Sequence, residues 1–154
     1  MKLIEEITLL VSIITVLIGG IFSLVQWKKN SEIRRAQFIH SLLDKLYSDK
    51  YNCKAVYILD SGKSWHTGKS FDPPKLEKPI DSVLYWFDYI CYLKEEKIIT
   101  DKEFAFFEYD IERLINDKSF NRYMKYFVKR KIDVPFVYLY GMQQKRKVEK
   151  TDEK

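Results

Sequence analysis

The feature that most constrains this chain is a run of 19 residues without a charged side chain, residues 7–25. At about 1.5 Å per residue, a helix of this length spans about 28 Å, close to the roughly 30 Å hydrocarbon core of a bilayer. Thirteen of these residues are Ile, Leu, Val or Phe, and together they favour insertion into a membrane by roughly 4–8 kcal/mol. The run therefore predicts a transmembrane helix.

Two other interpretations of this run are a buried helix of a soluble core and a cleaved signal peptide. Core helices rarely continue this far without a charge. Signal peptides usually begin with basic residues and end at an Ala-x-Ala-like site, whereas this chain begins MKLIEE and leaves the run at Gln26 and Trp27. We therefore expect an uncleaved anchor over residues 1–27.

The charges on the two sides of the run predict its orientation. One Lys and two Glu precede it, and four basic residues follow it closely: Lys28, Lys29, Arg34 and Arg35. The positive-inside rule then places the amino terminus outside and the long carboxy-terminal part in the cytoplasm. We expect a single-pass protein of the bacterial inner (cytoplasmic) membrane, with these four residues in contact with anionic lipid.

Small and hydroxylated residues recur along the predicted transmembrane helix at spacings of three and four. They are Ser12, Thr15, Gly19 and Ser23, preceded by Thr8. Such a stripe lets two helices approach closely in lipid, so homo-oligomers are one expectation. The alternative is chance alignment, because Gly, Ser and Thr are common in membrane helices.

The regular structure after the anchor is predicted to be helical. Residues 28–49 contain neither Gly nor Pro, so the membrane helix should continue as a stalk. Apolar periodicity predicts further helices over residues 51–59, 80–97 and 119–131. Another should begin at the capping box formed by Thr100 and Glu103. The expected fold class is all-α, with the stalk followed by a small antiparallel helical bundle.

The remaining segments set the expected domain limits. Residues 61–79 are rich in Gly and Pro and predict a loop. Residues 134–140 are interpreted as either a short extended segment or an aromatic strip packed on the bundle. The expected organisation is an anchor at 1–27, a helical cytoplasmic domain at 28–141, and a disordered charged tail at 142–154.

No complete catalytic, metal-binding or cofactor-binding motif is present. The two cysteines, Cys53 and Cys91, are too few and too far apart for a disulfide scaffold or a Cys-based zinc site. Two Gly-Lys-Ser sequences, at residues 62–64 and 68–70, do not complete a phosphate-binding loop. We therefore expect no catalytic residue, no cofactor and no metal.

Acidic residues cluster on one predicted helix as Glu108, Asp110 and Glu112. Spacings of two residues direct them to different faces, so we expect a solvated surface and no metal site. Basic residues such as Lys129 and Arg130 lie near the end of the chain. They could bind nucleic acid or a small anion, but no recognised nucleic-acid-binding fold supports this alternative.

The two histidines offer the remaining chemistry. His40 follows Arg35 in an Arg-x4-His spacing that superficially resembles the motif of HEPN ribonucleases, and Asp44 lies one turn further on. The similarity covers six residues on a predicted stalk helix, so a surface histidine is the main interpretation. His66 lies beside Trp65 and Gly68. It is expected to be a mobile loop residue, and a ligand contact is the alternative.

The whole arrangement resembles a broad group of small bacterial proteins of unknown function, each with one amino-terminal anchor and a helical cytoplasmic domain. The resemblance covers residues 7–131 and is carried by RRAQF at 34–38, SVLYWFDYI at 82–90 and ITDKEF at 99–104, which leads into Phe106 and Phe107. It implies a fold and a topology and supplies no catalytic residues. Some proteins of this shape are encoded with anti-phage defence systems.

Three functional hypotheses follow. The first is a non-enzymatic interaction or adaptor module that binds a protein partner through aromatic residues beyond the needs of the core: Tyr85, Tyr89, Tyr92, Phe106 and Tyr109. The alternative is that core packing accounts for most of these aromatic residues. The second is a membrane-perturbing effector, triggered by ligand binding or oligomerisation. The third is a ribonuclease that uses Arg35 and His40.

Overall fold

The computed structural model describes the backbone of residues 1–152 and the side chains of residue 1 and residues 7–149. The described chain is all-α, as predicted. The helices are α1 (Lys2–Ser48), α2 (Lys50–Asp60), α3 (Glu77–Glu95), α4 (Asp101–Asn116), α5 (Lys118–Arg130) and α6 (Val137–Asp152), with a 3-10 turn at Pro74–Leu76 before α3.

The chain divides into two compact units, residues 1–43 and residues 44–154. The first unit is the greater part of α1. An 18-residue window within it has a mean hydropathy of 2.5, and none of that window is buried by the rest of the chain. α1 is therefore long and apolar enough to cross a membrane. The side chains of Lys2, Glu5 and Glu6, used above to predict orientation, lie outside the described residues.

The hydroxyl groups along α1 bond to the helix itself. Ser12 donates to the carbonyl oxygen of Thr8 at 2.9 Å, and Ser23 donates to that of Gly19 at 2.8 Å. Thr15 makes the same type of bond to Val11. Because each hydroxyl has an acceptor four residues earlier, a hydrocarbon environment would leave none of these three donors unpaired.

Local capping accounts for several helix ends in the second unit. Asp49 accepts hydrogen bonds from the backbone N–H groups of Tyr51 and Asn52, at 2.8 and 3.0 Å, and so begins α2. The predicted capping box at the start of α4 is confirmed, with Thr100 and Glu103 each bonded to the other's backbone N–H. α5 ends at Lys131, whose φ of 55° lies in the left-handed region.

The core of the second unit is organised around α3, which packs against α2, α4 and α6. Its buried side chains recur every three or four residues and so form one broad face of the helix. The residues of α3 that are less than 3% exposed are Ile80, Val83, Leu84, Phe87, Ile90, Cys91 and Leu93.

The segment from Met142 differs from the expected disordered tail. α6 includes it through Asp152, while residues 153–154 lie outside the described part. Its charges have partners, because Lys145 bonds to Glu95 at 3.0 Å and Arg146 lies 2.9 Å from Glu112. The composition of this segment alone predicted disorder, because it does not include the acidic residues of α3 and α4 that pair with it.

Two polar side chains, one half-buried and one buried, also fix α6. The carboxylate of Asp88 on α3 accepts from the backbone N–H of Leu139 at 2.8 Å, which satisfies an otherwise unpaired donor in the first turn of α6. Gln143, only 2% exposed, donates to the carbonyl oxygen of Ile115 near the end of α4 at 2.6 Å.

Residues 137–140 form the first turn of α6, so the extended alternative for 134–140 is wrong. The aromatic alternative is confirmed, because Phe136 is buried against Tyr85 and the ring of Tyr138 contacts that of Tyr92.

We expect Asp88→Ala to lower the free energy of unfolding by about 1–2 kcal/mol, because it removes the cap of α6. The matched control is Glu95→Ala, which removes a carboxylate paired with Lys145 at the exposed surface and should cost less than 1 kcal/mol. Near-UV circular dichroism of the full-length protein in detergent would follow unfolding. Equal losses in the two variants would contradict the capping role.

Candidate functional site

The segment predicted as a mobile loop contains a tight hairpin. The N–H of Asp72 donates to the carbonyl oxygen of Trp65, and the N–H of Thr67 donates to that of Ser70, both at 3.0 Å. Gly68 lies in the turn with a φ of +96°, a conformation that side chains disfavour. The hairpin places His66 opposite Phe71 in an isolated antiparallel bridge.

His66 is buried, with only 1% of its surface exposed, contrary to the expectation of a mobile loop residue. Its ring lies 4.7 Å from that of Tyr123, 5.2 Å from that of Phe71 and 6.0 Å from that of Tyr126 (centroid to centroid). Trp65 and Phe71 are also buried. Large apolar side chains within a Gly-rich segment were the indication in the sequence that this loop is packed.

Arg122 on α5 fixes the hairpin to the bundle. Its Nε donates to the carbonyl oxygen of His66 at 2.7 Å, and its Nη2 donates to the hydroxyls of Ser64 at 2.7 Å and Ser119 at 2.9 Å. Ser119 also accepts from the N–H of Trp65 at 3.2 Å. Since His66 and Ser64 lie 56 and 58 residues from Arg122 in sequence, sequence reasoning did not identify Arg122.

The protonation state of His66 follows from its surroundings. Burial lowers the pKa of the imidazole, and the nearby positive charge of Arg122 lowers it further. Its Nδ1 accepts a hydrogen bond from the N–H of Gly68 at 3.0 Å. The ring is therefore neutral near pH 7 and carries its proton on Nε2.

A cleft of about 320 Å³ opens beside this histidine. Its volume is at the small end of the range typical of ligand sites. Rings form one part of its lining, and the polar residues Lys69, Ser70 and Glu77 form another; the rings belong to Phe71, Tyr123, Tyr126 and Phe127. The cleft can therefore offer apolar contact, hydrogen bonds and both signs of charge to a small molecule.

A hydrogen bond between Tyr123 and Asp81 lies next to the cleft. Tyr123 donates its hydroxyl hydrogen to Asp81 at 3.0 Å. Burial raises the pKa of Asp81 and outweighs the opposing effect of that hydrogen bond, and burial also raises the pKa of Tyr123. The bond fixes the position of the Tyr123 ring next to His66.

The structure does not bring Arg35 and His40 together. Both are exposed on α1, and a separation of five residues corresponds to about 140° around a helix. Asp44, predicted as a partner of His40, accepts a hydrogen bond from Ser48 at 2.8 Å.

The acidic residues of α4 are divided between two faces, as their spacing predicted. Glu108 and Glu112 both pair with Arg146, at 3.2 and 2.9 Å. Asp110 instead lines a smaller cleft of about 210 Å³, together with Asp60 and Arg113, and burial followed by the charge of Asp60 raises its pKa. Among the residues described, no group of three or more His, Cys, Asp or Glu could hold a metal ion.

The residues expected to contact lipid or a second membrane helix all lie on α1 with exposed side chains: Ser12, Thr15, Gly19, Ser23, Lys28, Lys29, Arg34 and Arg35. At 100° per residue, the first four occupy an arc of about 80°. A Cβ atom added at Gly19 would meet nothing within 4 Å. Their roles in association and lipid contact stay predictions.

Comparisons of the chain with protein-family models, with curated proteins and with solved structures find no match. The resemblance to small bacterial membrane proteins therefore also stays a prediction.

We expect the protein to lose stability as the pH falls below 6.5, the ordinary pKa of histidine. In that range the unfolded chain binds a proton that the folded His66, with its lowered pKa, does not, so acid favours unfolding. His66→Asn retains an oxygen acceptor for the N–H of Gly68 and removes the titrating group. Its unfolding temperature should depend less on pH between 7.5 and 5.5 than that of the wild type.

The control for this comparison is His40→Asn, which removes an exposed histidine and should leave the wild-type pH dependence unchanged. If His40→Asn flattens the profile and His66→Asn does not, the assignment to His66 is wrong.

Proposed function

We propose that this protein is a non-enzymatic, single-pass membrane protein whose helical domain is a binding module on the cytoplasmic face of a bacterial inner membrane. The observation that carries the proposal is the uncovered apolar surface of α1. Water-exposed apolar patches of this extent usually mark contact with a membrane or another protein. A bilayer would remove this surface from water along its whole circumference.

The charge distribution and the thiols support the cytoplasmic orientation. Lys28, Lys29, Arg34 and Arg35 follow the apolar stretch and are exposed, as the positive-inside rule requires of a cytoplasmic flank. Cys53 and Cys91 are free, which is typical of a reducing compartment.

Exposed aromatic side chains support a role in binding a protein partner. Phe106 is 65% exposed and Tyr109 is 70% exposed, one turn apart on α4. No ring contact with Phe106 occurs among the described side chains, and Tyr109 meets only the guanidinium of Arg113 at 5.4 Å. Aromatic residues are enriched at the centres of interfaces. The exposed Tyr85 and Tyr89, by contrast, already contact the rings of Phe136 and Tyr92.

The topology can be tested with the protein's own thiols. Burial raises the pKa of the Cys91 thiol to about 12, so Cys91 should not react, whereas Cys53 is partly exposed. In intact cells, a membrane-impermeant maleimide should label the protein only after the cells are lysed. Cys53→Ser should abolish that labelling. Labelling of Cys53 before lysis, or recovery of the protein in the soluble fraction, would contradict the proposal.

The binding surface can be tested by photo-cross-linking in cells. A photoreactive residue in place of Phe106 or Tyr109 should give a discrete adduct with a protein partner. The control is Tyr57, which is 71% exposed on α2 and should give no such adduct. Equal adducts at all three positions would contradict a specific surface on α4. Growth arrest on induction that requires residues 7–25, without any adduct, would favour the membrane-perturbing effector.

A further inference from the structure

The cleft beside His66 contains a hydrogen-bond donor that the chain does not use. The N–H of Gly68 donates a hydrogen bond to Nδ1 of the imidazole, so the proton of the neutral ring lies on Nε2. No acceptor for this proton is found among the described side chains and backbone, although the residue is 99% buried and lines the cleft. Among the described side chains, the fully buried polar atoms that lack a partner are Nε1 of Trp65, Nε1 of Trp86 and Oε1 of Gln143. Nε2 of His66 is therefore accessible from the cleft, and a ligand with an acceptor atom would complete its hydrogen bond.

The walls of the cleft favour an aromatic ligand. Phe71 and Tyr123 lie 4.9 Å apart, and Tyr123 is also 4.9 Å from Phe127 (centroid to centroid). The guanidinium of Arg130 lies over the ring of Tyr126 at 4.4 Å, and Tyr126 also lines the cleft. A planar ring lying against this cluster would make the offset and edge-on contacts that aromatic groups prefer.

The rim of the cleft adds one charge of each sign. Lys69 and Glu77 line it with exposed side chains, and neither forms an ion pair within the described part of the chain. A ligand that carries both an anionic and a cationic group would satisfy both of them. A simple aromatic anion would leave the carboxylate of Glu77 unused.

We propose that this cleft binds a free aromatic amino acid whose ring bears a hydroxyl group, such as tyrosine. The phenolic oxygen accepts the hydrogen bond from Nε2 of His66. The carboxylate of the ligand lies at Lys69, and its ammonium group lies at Glu77. This inference is independent of the membrane topology and would make the helical domain a receptor for a small metabolite.

The decisive experiment is calorimetric titration of the full-length protein in detergent micelles with L-tyrosine and L-phenylalanine. The wild type should bind L-tyrosine about tenfold more tightly, because L-phenylalanine lacks the acceptor for His66. In His66→Asn, which keeps the bond from Gly68 but loses the Nε2 donor, the two affinities should become equal. A merely structural role of His66 would weaken both ligands alike and overturn the proposal.

Two analogues test the rim with the wild type and with single substitutions. Lys69→Gln should weaken L-tyrosine and 3-(4-hydroxyphenyl)propionate, and leave tyramine, which has no carboxylate, unchanged. Glu77→Gln should weaken L-tyrosine and tyramine, and leave the propionate unchanged. Lys63→Gln, outside the cleft, is the charge-matched control and should alter none of the three affinities.

The wild-type measurements alone can refute the proposal, so it does not depend on the stability of any variant. Equal affinity for L-tyrosine and L-phenylalanine, or no binding of either, would overturn it. Tighter binding of AMP or phosphocholine than of L-tyrosine would overturn it as well, because the first would indicate a planar phosphate ligand and the second a cation held by the rings.

Discussion

The second unit of this protein depends on one constraint: backbone groups that leave a helix or enter a loop still need hydrogen-bond partners when they are buried. Three side chains from distant segments supply them. Asp88 on α3 caps the first turn of α6, Gln143 on α6 binds a carbonyl near the end of α4, and Arg122 on α5 binds the carbonyl of His66. Each bond fixes one segment on another, so the cleft owes its shape to the same interactions that hold the bundle together.

Features encoded by neighbouring residues were predictable from the sequence. The capping box of Thr100 and Glu103 and the apolar periodicity of α3 depend on contacts within one or two helical turns. The tail was not predictable in this way. Its basic residues indicate disorder when read alone, yet Arg146 forms part of a helix because Glu108 and Glu112 lie opposite it. The cleft was not predictable either, because it depends on a contact between Arg122 and His66, which are 56 residues apart in sequence.

The two units differ in how their polar groups are satisfied and in which surfaces they expose. The apolar part of α1 satisfies its own hydroxyl groups within one helix and leaves its surface uncovered, which suits a solvent that offers no hydrogen bonds. The second unit lines a cleft with His66, Lys69 and Glu77 and exposes the rings of Phe106 and Tyr109 on α4. The proposed binding roles rest on these two features.

The packing of Trp65 gives the chain an optical probe of its own cleft. Its indole is fully buried and lies 6.2 Å from the ring of His66 and 6.0 Å from that of Phe71. Trp86 is also buried, but its neighbours are Phe87 of α3 and Phe107 of α4. Trp27 is 66% exposed on α1. The three indoles thus lie in three different surroundings, and Trp65 is the one in ring contact with His66. A change in the charge of that histidine would alter the surroundings of the Trp65 indole, so its emission can be followed without an added label.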